Sequence, residues 1–396
     1  MNILIVTQHY WPENFRITDI AEALVSAGHK VTVLCGLPNY PKGYIFDDYK
    51  HGKNRKQEHN GVKILRVKEI GRRNNILFRF LNYWSYPFYG KKAVKKLPSD
   101  FDVVLINETS PIMAGEPAIR YGKRYDKPVL MYEMDLWPES LLAGGIKKGS
   151  FIYKHYKKVS SKIYSQCDKI LVSSKEHIDY IKALPGCDKL NIDYLPQYAE
   201  SMFEDGGFTN TNHETIDLMF AGNIGKAQSV DTIIRAAALL KDDPRFKFHI
   251  LGDGSELENV KNLANELGTK NVTFYGSRPL SDMPSFYKMA DAMLVTLENK
   301  SYANMTVPGK VQSYIAAGKP VVGAVDGNCA SFISDNEIGY VCPSEDHEAL
   351  AKTIRSLTKE ELLKVGEHAK RIYQERLSKA HFMDTLISNL EELRKQ

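Results

Sequence analysis

The run Val307-Pro308-Gly309-Lys310 opens a short apolar pattern, VQSYIAAG, which Gly318-Lys319-Pro320 ends before the β-branched pair Val321-Val322. Proline suits the first turn of a helix, glycine lets a ligand approach the backbone, and a lysine there adds charge to amides that already favour an anion. A lysine about 4 Å from a phosphate oxygen contributes roughly 4 kcal/mol at an effective dielectric near 20, before desolvation costs. Helical spacing puts Ser313 on the same face as Lys310 and leaves Val311 and Ile315 to the core, which predicts one wet face and one buried face. The run fits a phosphate site and a solvated helix-start lysine about equally.

Two other loops carry chemistry. FAGNIGKAQS lies after a strand pattern and before a helix pattern; Gly222 and Gly225 permit close backbone approach, and Asn223, Lys226 and Gln228 can donate to phosphate oxygens. It lacks the GxGxxG of a nicotinamide site, and its position favours phosphate contact over a plain turn. QHYWPENFR follows the first strand with His9, Tyr10, Trp11, Glu13, Asn14 and Arg16, a set suited to meeting a ligand. Trp11 fits a sugar-stacking platform or a packing residue. EMDLWPES places Glu133, Asp135 and Glu139 at another strand end; Glu133 and Asp135 have the spacing of a weak divalent-metal pair, and structural acids are the favoured reading.

The elements that must hold these loops alternate. Ile3 to Val6, the helical TDIAEALVSAGHK and Val31 to Leu34 form a βαβ unit, with Ile17, Ala21, Leu24 and Val25 on one face and Gly28 as the stop. VKILRV, DVVLIN, PVLMYE and KILVSS follow as buried strands. A polar stretch, YAESMFEDGGFTNTN, marks the domain boundary, after which strand and helix patterns alternate again. The fold class is α/β: two doubly wound Rossmann-like domains, 1–200 and 201–375, with a charged helix over 376–396 and an active cleft between the halves at the strand carboxyl ends.

Composition bounds the rest. The chain has 396 residues, 43% hydrophobic content and a net charge of +5, enough for two cores and too mild for a general nucleic-acid binder. Its five cysteines are separated and in no CxxC arrangement, so neither a disulfide framework nor a zinc site is expected, and a reducing cytoplasm fits. MNILIVTQHYWPENF lacks the basic start and cleavage pattern of a secretion signal, and no run is long enough to span a bilayer. KEIGRRNNILFRFLNYWSYPFYGKKAVKKL and KKGSFIYKHYKKVSSK interleave lysine and arginine with aromatics, which suits an anionic membrane surface, with an ordinary packed helix face as the alternative.

Both glycine loops, GDGSELENVKNLANELG, NVTFYGSRPLSDMPSFYKMADAMLV and VPGKVQSYIAAGKPVV resemble the C-terminal half of family 4 retaining glycosyltransferases, and YWPENFRITDIAEALVSAGHKVTVL resembles their N-terminal signature. The similarity spans essentially the whole chain in order and implies a GT-B fold. It implies that Lys310 contacts the donor diphosphate, that Gly222, Gly225, Gly252, Val307, Pro308 and Gly309 shape the donor site, and that Arg278 lies by the nucleobase. Asn223 stands where many members have arginine and Gln228 where they have lysine. Met305 and Ser313 occupy the two positions of the family's paired glutamates, so Ser313 can only partly serve the ribose. The GNIG and VQSY patterns are similar to the exopolysaccharide, capsule and O-antigen branch, including transferases of N-acetyl-fucosamine.

The resemblance implies a UDP-sugar donor, no metal or other cofactor, a lipid-linked glycan acceptor, and a cytoplasmic protein peripheral on the inner membrane face. Without a placed acidic nucleophile, front-face displacement is expected, with Lys310 and the GNIG amides stabilising the leaving diphosphate. Asn223 would assist them, while Asp135, Glu13 and His9 orient the sugars, and Tyr10, Trp11, Asn14 and Arg16 meet the acceptor. A sugar-nucleotide epimerase or dehydrogenase, a non-catalytic sugar-nucleotide-binding protein and a phosphorylase are the rival readings.

Overall fold

The computed structural model of the chain describes residues 1–73, 76–143, 145–204, 206–210, 214–300, 302 and 304–395. It divides into two units, Met1–Leu195 with Met383–Gln396, and Pro196–Phe382. The break therefore precedes residue 200, and the second unit runs past residue 375. The polar stretch explains this, because its start is tied into the second unit: Ala199 N donates to Tyr373 Oη at 3.0 Å, and Phe203 stacks on Tyr287 at 4.6 Å. Asp205, Thr211 and Asn212 of that stretch lie outside the described residues.

The first unit is built on β1 (Asn2–Val6), β2 (Lys30–Cys35), β3 (Lys56–His59), β4 (Val62–Arg66), β5 (Val103–Glu108), β6 (Val129–Glu133), β7 (Lys169–Val172) and β8 (Ile192–Tyr194). Their order is β3-β4-β2-β1-β5-β6-β7-β8, parallel except for the β3/β4 pair. Around the sheet run α1 (Arg16–Ser26), α2 (Ile76–Ala93), α3 (Glu116–Tyr125), α4 (Ser140–Ala143), α5 (Phe151–Tyr164) and α6 (Glu176–Lys182). Strands β5, β6 and β7 are buried along their whole length, as apolar runs between helical layers must be. Strand β3, KQEH, escapes sequence reading because it is a polar edge strand.

The second unit contains β9 (Ile216–Ala221), β10 (Phe246–Leu251), β11 (Val272–Gly276), β12 (Ala292–Thr296), β13 (Val321–Ala324) and β14 (Gly339–Cys342), in the all-parallel order β11-β10-β9-β12-β13-β14. Its helices are α7 (Val230–Leu239), α8 (Leu257–Leu267), α9 (Met283–Met289), α10 (Lys310–Ala316), α11 (Gly327–Asp335), α12 (His347–Arg355) and α13 (Lys359–Arg376). The last helix, α14 (Lys379–Lys395), starts in this unit and from Met383 belongs to the first. The period of two along β9 sends Leu218 and Phe220 into one core and Met219 and Ala221 into the other, so the sheet is wound with helices on both faces.

Helix α10 departs from the expected wet and dry faces. Every residue from Val311 to Ala316 is buried, because α13 and β13 pack on the helix and the 201–203 turn covers it as well. Its first residue, Lys310, is half-buried, and within the helix Ser313 and Tyr314 also hydrogen-bond through their side chains.

Candidate functional site

Both sheets reverse their strand order once, between β1 and β5 in the first unit and between β9 and β12 in the second. Open parallel sheets leave a crevice at the carboxyl ends of such a pair, and loops of the kind that carry chemistry gather there.

In the second unit the loop after β9 turns at Gly222, whose φ of +150° is tolerated without a Cβ. A Cβ on Gly222 would stand 2.9 Å from Lys310 Nζ, so glycine is what lets the ammonium reach this loop. Lys310 Nζ donates to Gln228 Oε1 at 2.6 Å and lies 4.1 Å from the Phe220 ring centroid. Thr296, at the end of β12, donates to the Gln228 carbonyl, and Glu298 N donates to the Ala227 carbonyl at 3.1 Å. The two strand ends and α10 thus converge on one lysine. Burial pushes the Lys310 pKa down to about 7. The Gln228 bond and the Phe220 ring take Lys310 partly out of water. Its partners are neutral, and among the described residues no carboxylate pairs with it.

The neighbouring glycines have packing reasons. A Cβ on Gly252 (φ +141°) would overlap the Gly222 carbonyl oxygen at 1.8 Å, and one on Gly254 would sit 2.3 Å from that of Ile224. Backbone bonds sew the loops together, Ile224 N to Asp253 O at 2.8 Å and Glu256 N to Ile224 O at 3.0 Å. Gly225 is confined by the Asn223 amide, 2.8 Å from where its Cβ would be. Asn223 itself is exposed at the mouth of the loop, as is Arg278, whose Nε donates to the Tyr275 carbonyl at 3.2 Å. Val307 packs against the core, Pro308 O accepts from Val311 N at 2.9 Å, and Gly309 is exposed with open space where a Cβ would go. Met305 is half-buried. Ser313 donates to Glu200 Oε2 at 2.9 Å, which brings a carboxylate to the position where the family resemblance leaves one missing. Glu200 lies 113 residues away in sequence, and nothing in the chain announces the pairing.

In the first unit the loop after β1 is organised by acids. Glu13 is buried and its Oε1 accepts from Asn39 N and Tyr40 N, both at 2.7 Å, while Oε2 meets His9 Nδ1 at 3.0 Å. Glu13 is therefore a loop brace, with its carboxylate occupied, and not a free catalytic acid. Burial lowers the His9 pKa, but the hydrogen bond and charge of Glu13 outweigh it and leave His9 raised. His9 also stacks on Phe15 at 4.8 Å. Tyr10 is buried at 2% exposure and lies in the core, so it does not meet an acceptor. Trp11 is a packing residue, stacked on His59 at 4.1 Å. Asn14 is exposed and Arg16 opens α1.

Beside this loop, at the ends of β5 and β6, the buried Glu108, Glu133 and His177 form a cluster with the half-buried Asp135. Glu133 Oε2 meets His177 Nδ1 at 2.7 Å with both side chains fully enclosed, so Glu133 is paired with histidine. Glu108 accepts from Ser110 N at 2.9 Å. Burial, then the Glu133 charge, raise Asp135, and burial, then Asp135, raise Glu108. Carboxyls whose charges and burial raise one another hold their protons more tightly than free acids do. Glu139 is also buried and accepts from Tyr153 Oη at 2.7 Å.

Residues 204–379 match the family model of glycosyl transferases group 1, and residues 14–196 match that of glycosyltransferase family 4. The chain is a glycosyltransferase of the GT-B type. The transferase is 27% identical over 288 residues to a probable glycosyltransferase, WbjE, of Pseudomonas aeruginosa, covering 69% of this chain and 71% of that protein. It is 23% identical over 365 residues to a putative colanic acid biosynthesis glycosyl transferase, WcaI, of Escherichia coli K12, covering 86% of each. Among solved structures, Anabaena HepE in complex with UDP and glucose superposes with a TM-score of 0.68 at 14% identity over 99% of both chains. The transferase thus has the expected fold, and the dehydrogenase and epimerase readings lose their support.

Proposed function

We propose that the transferase moves a sugar from a UDP-sugar to a hydroxyl of a lipid-linked glycan in bacterial surface polysaccharide synthesis, with retention of anomeric configuration and without a metal. The observation that carries this reading is the half-buried Lys310 ammonium, held by Gln228 against the Gly222 loop at the strand reversal of the second unit. An ammonium there, with neutral partners, fits the diphosphate of the donor. HepE, of the same fold, is known in complex with UDP and glucose, and the relatives' names point to surface polysaccharide. An N-acetylated deoxy-amino sugar, of the N-acetyl-fucosamine kind, is the proposed cargo on the resemblance of the GNIG and VQSY segments.

In the proposed step the acceptor oxygen bonds to the anomeric carbon on the face from which the diphosphate departs, the carbon–oxygen bond to the phosphate breaks, and the acceptor proton passes to the leaving phosphate oxygen. Charge grows on that oxygen, where Lys310, the loop amides after Gly222 and Asn223 stabilise it. Glu200, through Ser313, supplies the carboxylate that the ribose hydroxyls require. Val307, Pro308 and Gly309 shape the donor pocket, and Arg278 flanks the base. In the first unit His9, Asn14, Arg16 and Asp135 are assigned to the acceptor.

An exposed apolar stripe supports the lipid-linked acceptor. Helix α2 exposes Leu77, Leu81, Trp84 and Phe88 at spacings of four, three and four residues, with Lys91 and Lys92 in its last turn, and α5 exposes Phe151 and Ile152. No helix of the described residues is long and apolar enough to cross a membrane, so contact through such a stripe is peripheral.

The deciding experiment is thermal stabilisation by UDP, GDP, dTDP, ADP and NAD, with and without magnesium, in wild type and Lys310→Ala. Selective stabilisation by UDP, independent of magnesium and lost in the variant, is expected. Stabilisation by NAD alone, or by no nucleotide, overturns the reading.

A further inference from the structure

A cavity of about 710 Å³ in the first unit plays no part in the chemistry above. It lies just past the carboxyl ends of β2 and β4, and its lining includes Lys50, Arg55, Arg66 and Lys68 against a single acid, Glu69. That acid does little to balance them. Glu69 is buried, its oxygens accept from Gln8 Nε2 at 2.6 Å, Asn82 Nδ2 at 2.6 Å and Leu37 N at 2.9 Å, and burial pushes its pKa up to about 7.

Lys50 is bonded to Asp47 at 2.6 Å. Among the described residues no carboxylate pairs with Arg55, Arg66 or Lys68. Arg66, only 6% exposed, spends its Nη donors on neutral acceptors, the Trp11 carbonyl and Gln57 Oε1, both at 2.6 Å, and faces the Tyr49 ring at 4.8 Å. Arg66 Nε and Arg55 Nη1 are enclosed with no acceptor at all. Burial and the neighbouring Arg66 charge both lower the Arg55 pKa. A buried guanidinium, Arg66, beside the half-buried Arg55 and without counter-charge is costly to hold, and an anion is the partner that offsets the cost. Paired guanidinium groups match the oxygen geometry of phosphate esters.

We infer that this cavity binds the diphosphate ester of the acceptor, an isoprenyl-type lipid diphosphate. The lipid assignment rests on the proposed function; the anion site stands on the cavity itself. Two neighbours give it a place in the reaction. Tyr89 lines the cavity and meets Phe88, the end of the exposed α2 stripe, at 5.2 Å between ring centroids, so a hydrocarbon chain along the stripe leads its phosphates into the cavity. Arg66 holds the carbonyl of Trp11, two residues from His9 in the same loop, so the glycan beyond the phosphates begins at the acceptor loop.

The test is calorimetric titration of the full chain, saturated with UDP, with inorganic pyrophosphate and with geranyl diphosphate, in wild type and in Arg55→Gln/Lys68→Gln. Pyrophosphate binding in the presence of UDP, weakened about tenfold or more in the double variant while UDP affinity is unchanged, is the expected result. Geranyl diphosphate binding at least tenfold tighter than pyrophosphate supports the lipid ester; equal affinity overturns that assignment. Competition between pyrophosphate and UDP, or equal pyrophosphate affinity in wild type and variant, overturns the site. A chain that binds pyrophosphate here but not UDP keeps the cavity assignment and overturns the donor reading. Lys68→Gln alone leaves both arginines in place and carries the same comparison if the double variant does not fold.

Discussion

Donor binding should take up a proton, because burial pushes the pKa of Lys310, the lysine proposed to meet the phosphates, down to about 7. In the empty site Lys310 titrates at about 7, and a bound diphosphate raises it far above that range, so only the protonated form binds well. The apparent Kd then scales as one plus the ratio of neutral to charged lysine, and it rises about 50-fold from pH 7 to pH 9. Over that interval a terminal phosphate with a second pKa of about 6 stays ionised, so the ligand contributes little. Calorimetry of UDP in buffers of different ionisation enthalpy reads the uptake directly, with about 0.9 proton expected at pH 8. The sign for folding is opposite. The unfolded chain protonates Lys310 up to the ordinary lysine range, so this residue makes the empty protein more stable as pH rises from about 7. A Kd independent of pH, or one whose pH dependence survives in Lys310→Met, refutes the reasoning.

Glu13→Gln removes the charge that two backbone amides and His9 share, and should lower stability by about 3 kcal/mol in urea titration, with little change in UDP affinity. Gly222→Ala places a methyl 2.9 Å from Lys310 Nζ at a φ of +150°, and a loss of about tenfold or more in UDP affinity is expected with a smaller loss in stability. Glu200→Gln should raise the donor KM by about tenfold and leave kcat closer to wild type, whereas equal effects on both would place Glu200 elsewhere in the cycle. Replacing Leu77, Leu81 and Trp84 by serine should abolish co-sedimentation with anionic vesicles while UDP stabilisation is retained.

The sequence by itself determined the architecture and which loops stand at the strand ends. Buried parallel strands are continuous apolar runs, and the helices between them announce themselves by period and stop signals, so Ile216–Ala221, Phe246–Leu251 and Ala292–Thr296 were legible one by one. The glycine loop at Gly222 and the lysine at Lys310 were legible too, because strand-end position and residue type together suggest an anion. Only the tertiary structure decided what those residues touch. Gln228 and Lys310 are 82 residues apart, Ser313 and Glu200 113, and Gln8 and Glu69 61, and no local pattern encodes which pairs meet. Tyr10 and Glu13 look like ligand residues because their loop follows a strand, yet one fills the core and the other braces the backbone of Asn39 and Tyr40. Polar groups left in a loop must find partners once water is removed, and which partner is near is fixed by how the sheets order their strands, a long-range choice that local sequence does not carry.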